Sequence, residues 1–313
     1  MQNFLISFNV VFPIFLMMVL GFSLKKLSIM NDTTVKQMNN VIFRVFLPVM
    51  IFKNIYESEF SQAFNPKLIV FAVSAVIICI GILFVIIPIT VKENTKRGVL
   101  IQAIFRSNFV IFGLPVTEAL CAGAAIGSAS VLIAIIVPIF NFAAVITLEV
   151  FNNRKPNIFK ILKGIVTNPL IISSVLGLII CFCNISFPTV IEKAIGSISS
   201  ITTPLALIML GASIHFKTVG SNLKYLVIGL ISRLILIPAI CLGFAAYVFN
   251  FRGAELAIIL SLFASPTAVS SFTMAQQMGG DDELAGQLVM FGTCASVVTV
   301  FMWILITVQL GLL

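Results

Sequence analysis

The chain has 313 residues, 60% of them apolar and 10% charged, with a mean hydropathy of +1.16 and a formal net charge of +8. No stretch is polar enough to face water on all sides, which excludes a soluble domain and defines a polytopic membrane protein. The basic excess lies in short segments between apolar runs, so a nucleic-acid-binding role, which needs a soluble basic face, is excluded as well.

Apolar runs of about 20 residues cross a hydrocarbon core of about 30 Å. Ten are bounded by charges, glycines and prolines: 6–24, 37–54, 68–91, 98–122, 127–150, 164–183, 190–214, 223–249, 254–278 and 284–310. Residues 1–9 carry no lysine or arginine, and the first run is long enough to span, so it reads as a retained helix rather than a signal peptide. The cysteines Cys79, Cys121, Cys181, Cys183, Cys241 and Cys294 are scattered through apolar runs without paired spacing and read as packing residues. No metal or cofactor site is indicated.

Ten spans place both termini on one side of the membrane. With both outside, twelve of the nineteen basic residues fall in inward loops and four in outward loops, the bias expected of cytoplasmic loops in a plasma-membrane protein. The net charge is thus a topology signal.

The prolines repeat. Pro13 in "NVVFPIFLMMVLGF" and Pro169 in "TNPLIISSVLGLII" are 156 residues apart, and Val19, Leu20 and Gly21 recur as Val175, Leu176 and Gly177 at the same offset. Pro48 and Pro204 also differ by 156, Pro88 and Pro238 by 150, and Pro115 and Pro266 by 151. The pattern predicts five spans written twice, 1–151 and 164–313, joined by the basic linker "NNRKPNIFKILK" at 152–163. Five spans per copy force the second to enter from the opposite side. The fold expected is an all-α membrane protein of ten helices in a 5+5 inverted repeat, the plan of many secondary transporters.

Two spans contain a break. "NFVIFGLPV" sets Gly113, Leu114 and Pro115 inside the fourth, and "LFASPTAVSSFTMAQQMGG" sets Ser265, Pro266 and Thr267 inside the ninth. Freed backbone groups cost several kcal/mol each against lipid, about what an unsatisfied polar group costs in hydrocarbon, so such breaks belong where protein or a wet cavity surrounds them. Proline suits the first turn of a helix. Each second half is therefore expected to start at its proline, with glycine ending the half before it, and to aim free N–H groups at the junction. That arrangement fits an anion site, most simply for a carboxylate; a cation site of freed carbonyls is the alternative, without the acidic cluster of a dedicated metal-ion path.

These motifs, with "NPLIISSVLG", "TTPLALIMLGAS" and the stretch from Ser265 to Ile304, resemble the auxin efflux carrier family over essentially the full length. Its bacterial members include proteins assigned as malate or malonate carriers. The resemblance implies fourth and ninth helices that break at prolines and cross, with small organic anions bound beside the crossing. Carried over residue by residue, the crossing prolines match Pro115 and Pro266, Asn108 matches the asparagine before the Gly-x-Pro, and Asn168 that of the sixth helix's Asn-Pro. Plant members have a long hydrophilic loop between the repeats, which here is about a dozen residues.

Several side chains have two readings. Arg106, about 12 Å along its helix, either attracts an anionic substrate or snorkels to the headgroups. For Arg44 and Arg233, snorkelling or helix pairing is expected. Glu118, three residues after Pro115, either carries a coupling proton, its pKa raised by burial, or is a dipole-stabilised structural acid. Asn141, Thr203, Ser270, Gln276 and Thr293 either line a cavity or tie helices together. Gly279, Gly280, Asp281, Asp282 and Glu283 read as a helix stop and a capped start, and His215 as a solvated interfacial residue.

An intramembrane enzyme would need a nucleophile with its base, or metal ligands, and the lone histidine with no acidic cluster argues against both. A channel would need a filter or a charged ring, and neither pattern is present. The expected function is secondary transport of small carboxylates by alternating access, with a sodium-coupled bile-acid-type symporter or an anion channel as the alternatives. Coupling to H+ or Na+ and assembly as a homodimer stay open.

Overall fold

A computed structural model describes residues 2–57, 65–121, 125–152, 163, 166–183, 185–213 and 219–313, without the side chains of residues 2–11, 14, 15 and 126. Most of the basic linker, with Arg154, Lys155 and Lys160, lies outside the described residues, as do His215 and Lys217.

Among the described residues the protein is all-helical. Twelve helices follow one another: α1 (Gln2–Lys26), α2 (Asp32–Tyr56), α3 (Pro66–Thr90), α4 (Asn94–Phe105), α5 (Phe109–Cys121) and α6 (Ile126–Val150). After the linker come α7 (Pro169–Phe182), α8 (Thr189–Ser213), α9 (Gly220–Tyr247), α10 (Ala254–Ala264), α11 (Ser270–Met278) and α12 (Asp282–Gln309). Six of them, α2, α3, α6, α8, α9 and α12, are long and apolar enough to cross a bilayer. Where the sequence predicts the fourth and ninth spans, the structure has two short helices in succession, α4 then α5 and α10 then α11.

Burial places those broken segments at the centre. Every residue from Gly98 to Phe105 in α4 and from Leu256 to Ala264 in α10 is buried, the mark of a helix surrounded on all sides. By contrast α3 turns Val70, Ile77, Ile78, Val85 and Ile89 outward, an apolar face fit for lipid. Around the centre, α1 packs on α8 and α12, α2 on α7 and α8, and α6 on α4 and α7. Cys79 and Cys241 are buried within this packing.

Three prolines directly follow a widened turn, and no break interrupts the helix there. Ile42–Phe46, Phe109–Gly113 and Ser232–Leu236 are π-helical turns, and in each case the next residue donates its N–H five residues back: Leu47 to Ile42, Leu114 to Phe109, Ile237 to Ser232. Pro48, Pro115 and Pro238 follow immediately. A proline offers no N–H and its ring clashes with the carbonyl four residues earlier, so a wider turn lets the helix continue past it. The carbonyl that Pro238 leaves without a donor, Leu234 O, accepts from Trp303 Nε1 at 2.9 Å. Neighbouring helices thus satisfy backbone groups that lipid could not.

The stop and start expected at 279–283 is present. Gly279 ends α11 in the left-handed region (φ 80°), and Asp281 caps α12 by accepting from Leu284 N–H at 2.9 Å. Burial is the main influence on the Asp281 carboxyl and pushes its pKa above the usual carboxylate value, against its capping bond and the Lys96 charge. A carboxyl with a raised folded pKa binds its proton more tightly in the folded state. Its ionisation therefore disfavours folding at neutral pH, and that penalty is relieved as pH falls through the folded pKa toward the unfolded one. Thermal melts are expected to show Asp281→Ala losing about 1 kcal/mol, the usual value of an N-cap. Asp281→Asn keeps the cap and should melt no lower than wild type at neutral pH, without the gain on mild acidification.

Candidate functional site

The two breaks meet. Arg106 leaves α4 and Ser265 leaves α10 in extended conformation, and the segments that follow pair antiparallel at Ser107 and Thr267. Asn108 N–H donates to Pro266 O at 2.8 Å, and Ala268 N–H to Arg106 O at 3.2 Å. Thr267 Oγ1 donates to Ala103 O at 2.8 Å. Each break supplies the partners that the other lost, which is how extended backbone survives at the centre of the bundle.

The local sequence explains one break well and the other poorly. Pro266 has no N–H and drives Ser265 to φ −60°, ψ 145°, so α10 cannot run on. In the fourth segment the break is at Arg106–Asn108, well before Pro115, which lies at the second position of the α-helix after the π-turn. The expectation that each second half starts at its proline is thereby corrected: α5 starts at Phe109, six residues before Pro115, and α11 at Ser270, four residues after Pro266. The role expected for Gly113 is corrected too. It ends no helix; a Cβ there would lie 2.8 Å from Ser261 O and 3.1 Å from Ser265 Oγ, so glycine lets α5 lie against α10. Consequently Pro115→Ala is expected to keep near-wild-type activity, while Pro266→Ala, which allows α10 to continue helical through the pairing segment, should lose most of it. Activity normalised to protein in the membrane decides this, and equal losses would contradict the placement of the breaks.

A cavity of about 60 Å³, room for a few waters, adjoins the pairing. Arg106, Ser107 and Asn108 line it beside the start of α5 (Phe109, Val110, Ile111) and the approach to α11 (Ala268, Val269, Ser270). Asn141 from α6, Thr202 and Thr203 from α8, and Leu47, Met50 and Asn54 from α2 complete the wall, most of which is apolar. Both following half-helices thus present their N-terminal, positive dipole ends to the cavity.

Arg106 is its electrostatic centre. Only 4% of the residue is exposed; Nη2 donates to Asn141 Oδ1 at 2.6 Å and Nη1 to Met274 Sδ. Asn141 Nδ2 donates in turn to Ser174 Oγ at 3.2 Å. A thioether is a weak acceptor, and among the described residues no carboxylate forms an ion pair with Arg106. Asn108 Nδ2 and Ser107 Oγ are buried without a hydrogen-bond partner among the described residues. The cavity therefore holds a cation without a counter-ion and further unsatisfied polar groups, an arrangement that accepts an anion.

The other expected site residues fall as follows. Leu114 and Pro115 lie on α5 outside the cavity wall, and Pro266, Ser265 and Thr267 build the pairing rather than the wall. Asn168 caps α7, accepting from Leu170 N–H at 2.9 Å, and does not line the cavity. Glu118 is exposed on α5 and does not line the cavity. Thr293 is buried, and Gln276 joins Asn39 to Asp282, accepting at 2.8 Å and donating at 3.1 Å. That chain borders a second cavity of about 370 Å³ lined by Asp32, Lys36, Ser213 and Glu283 among others, at the end of the bundle where α2 and α12 begin. Arg44 is exposed, whereas Arg233 is buried and, of the two readings given for it, pairs with neighbouring helices instead of snorkelling, through their carbonyls at the crossover. An arginine deep in the apolar run "GLISRLILIP" was the available signal, because such a charge requires buried partners.

A model of the membrane transport protein family matches residues 6–158 and 152–304. The chain belongs to the membrane transport protein family. This is the auxin efflux carrier family of the resemblance, and membership carries a transport role in a membrane. Two relatives cover nearly the whole length: an uncharacterized transporter of Methanocaldococcus jannaschii is 23% identical over 308 residues, 96% of this chain and 98% of the relative. An uncharacterized transporter of Methanothermobacter thermautotrophicus is 24% identical over 315 residues, again 96% and 98%.

Proposed function

We propose that the protein is a secondary active transporter that carries small organic anions, carboxylates of the malate or malonate kind, past the crossover by alternating access. The observation that carries this reading is Arg106, a buried guanidinium in a cavity wall with a thioether and an amide as its side-chain partners and no acid paired to it. A substrate carboxylate supplies the missing counter-charge. Asn108 Nδ2 and the N-terminal ends of α5 and α11 offer it further donors.

The reading includes a ten-helix inverted repeat, and matched close approaches support it. Gly21 on α1 lies so near Ile208 on α8 that an added Cβ would overlap the Ile208 carbonyl, and Gly177 on α7 would meet Phe52 O on α2 at 3.2 Å. Both residues of the second contact relate to those of the first by the offset of 156 that relates Pro13 to Pro169. The same glycine meets the same partner position with the two copies exchanged, as a two-fold relation requires. Twofold-related bundles that rock about a fixed crossing expose it to each side in turn. On the charge bias of the loops, both termini lie outside a plasma membrane and the 370 Å³ cavity opens inward.

The test is thermal stabilisation of the detergent-purified protein by a panel of mono- and dicarboxylates, with and without sodium and at two pH values. A ligand at 100 times its Kd adds about 2.7 kcal/mol to the native state. Stabilisation by a carboxylate, competed by its congeners, is expected. No shift with any carboxylate, while the protein is folded, would move the substrate class to larger amphipathic or cationic molecules.

A further inference from the structure

Arg233, in the π-turn of α9, is 2% exposed and lies outside the wall of the 60 Å³ cavity. Its guanidinium is spent on backbone. Nε donates to Ser265 O at 2.9 Å, Nη1 to Ile104 O at 3.0 Å and Phe105 O at 3.5 Å, and Nη2 to Leu262 O at 3.2 Å. Those carbonyls end α4 and α10, where the breaks remove the N–H groups that a continuing helix would supply. Each C-terminus carries about half a negative charge, so the pair presents about one, and a single guanidinium neutralises it with directed hydrogen bonds.

Carbonyls freed at the ends of broken helices are the groups that hold coupling cations in inverted-repeat carriers. Here the cluster is already filled. We propose that Arg233 is the resident cation of the crossover, occupying the carbonyl cluster in which a coupling sodium ion would otherwise bind, so that the cycle needs no sodium. The same charge keeps two negative helix ends from repelling an anion held beside Arg106. As a statement about coupling this rests on the transport reading, whereas the occupancy of the carbonyl cluster can be tested without any substrate.

The experiment compares melting of the purified full-length protein with that of Arg233→Lys, Arg233→Met and Arg233→Ala in sodium chloride, choline chloride and dilute guanidinium chloride at equal ionic strength. Wild type is expected to melt alike in sodium and choline. The lysine variant should lie nearest to wild type, and the methionine and alanine variants well below it. In Arg233→Ala, dilute guanidinium should recover most of the loss and choline none. If the neutral variants cannot be purified while the lysine variant can, the charge requirement is met. Equal melting of the lysine and methionine variants would overturn the proposal, and so would a saturable, sodium-specific stabilisation of wild type. A carboxylate panel that fails would leave these melts untouched and would count against the substrate alone.

Discussion

Arg106→Met is expected to lose carboxylate transport and carboxylate-induced stabilisation while melting no lower than wild type. The two effects have opposite origins. A guanidinium buried without a counter-ion costs desolvation energy that its bonds to Asn141 and Met274 repay poorly, so removing the charge relieves the resting protein. Binding loses a charge-assisted hydrogen bond, on the order of 1.5–3 kcal/mol, or about tenfold to a hundredfold in affinity. Methionine keeps most of the length, which limits the cavity left behind. Arg106 and Arg233 are thereby told apart: both are buried arginines beside the same crossover, but loss of Arg233 strands carbonyls and lowers melting, whereas loss of Arg106 strands only Asn141 Oδ1. A fall in melting on Arg106→Met as large as that on Arg233→Met would place Arg106 in the scaffold and contradict its role toward an anion.

The largest effect on stability is expected at the crossing of α1 with α8. A Cβ at Gly21 would overlap the Ile208 carbonyl, and one at Gly211 the Met18 carbonyl, so two glycines let the backbones touch with no side chain between them. Backbone cannot step aside as a side chain can. Gly21→Ala or Gly211→Ala must push the helices apart along their contact, at about 3 kcal/mol, the upper part of the range for overpacking. Gly81→Ala and Gly243→Ala are the controls, because nothing lies within 4 Å of the added carbon. There the change is expected to be neutral or to stabilise by up to about 1 kcal/mol through helix propensity. Melting of the four variants in one detergent decides it, and four equal shifts would contradict the close approach.

Much of this architecture was legible because bilayers impose simple rules. Apolar runs of spanning length located helical segments, Gly279 and Asp281 announced a stop and a cap, and Ser265–Pro266–Thr267 announced a break whose cause is the missing N–H of Pro266. Asn141, Thr203 and Ser270, each read as either facing a cavity or tying helices, lie in the wall of the 60 Å³ cavity, and Asn141 also ties helices through Arg106 and Ser174. The first break was misplaced because Pro115 looked sufficient to cause it. A π-turn absorbs Pro115, as others absorb Pro48 and Pro238, and nothing in Arg106–Ser107–Asn108 marks an extended segment until its partner at Pro266–Ala268 is beside it. Long-range pairing of this kind leaves no local trace. Arg233 was legible as a charge within an apolar run, but not its partners, which are carbonyls, groups that every residue carries and no sequence distinguishes.

The central claim is that the crossover cavity carries an organic anion across the membrane in turns. Counterflow tests it most directly: proteoliposomes of the purified protein, loaded with an unlabelled carboxylate, are given the labelled acid outside. Saturable uptake, accelerated by the internal acid and absent with Arg106→Met, is the predicted result. Folded wild-type protein that exchanges no carboxylate, or that passes one as an unsaturable current indifferent to Arg106, would contradict it.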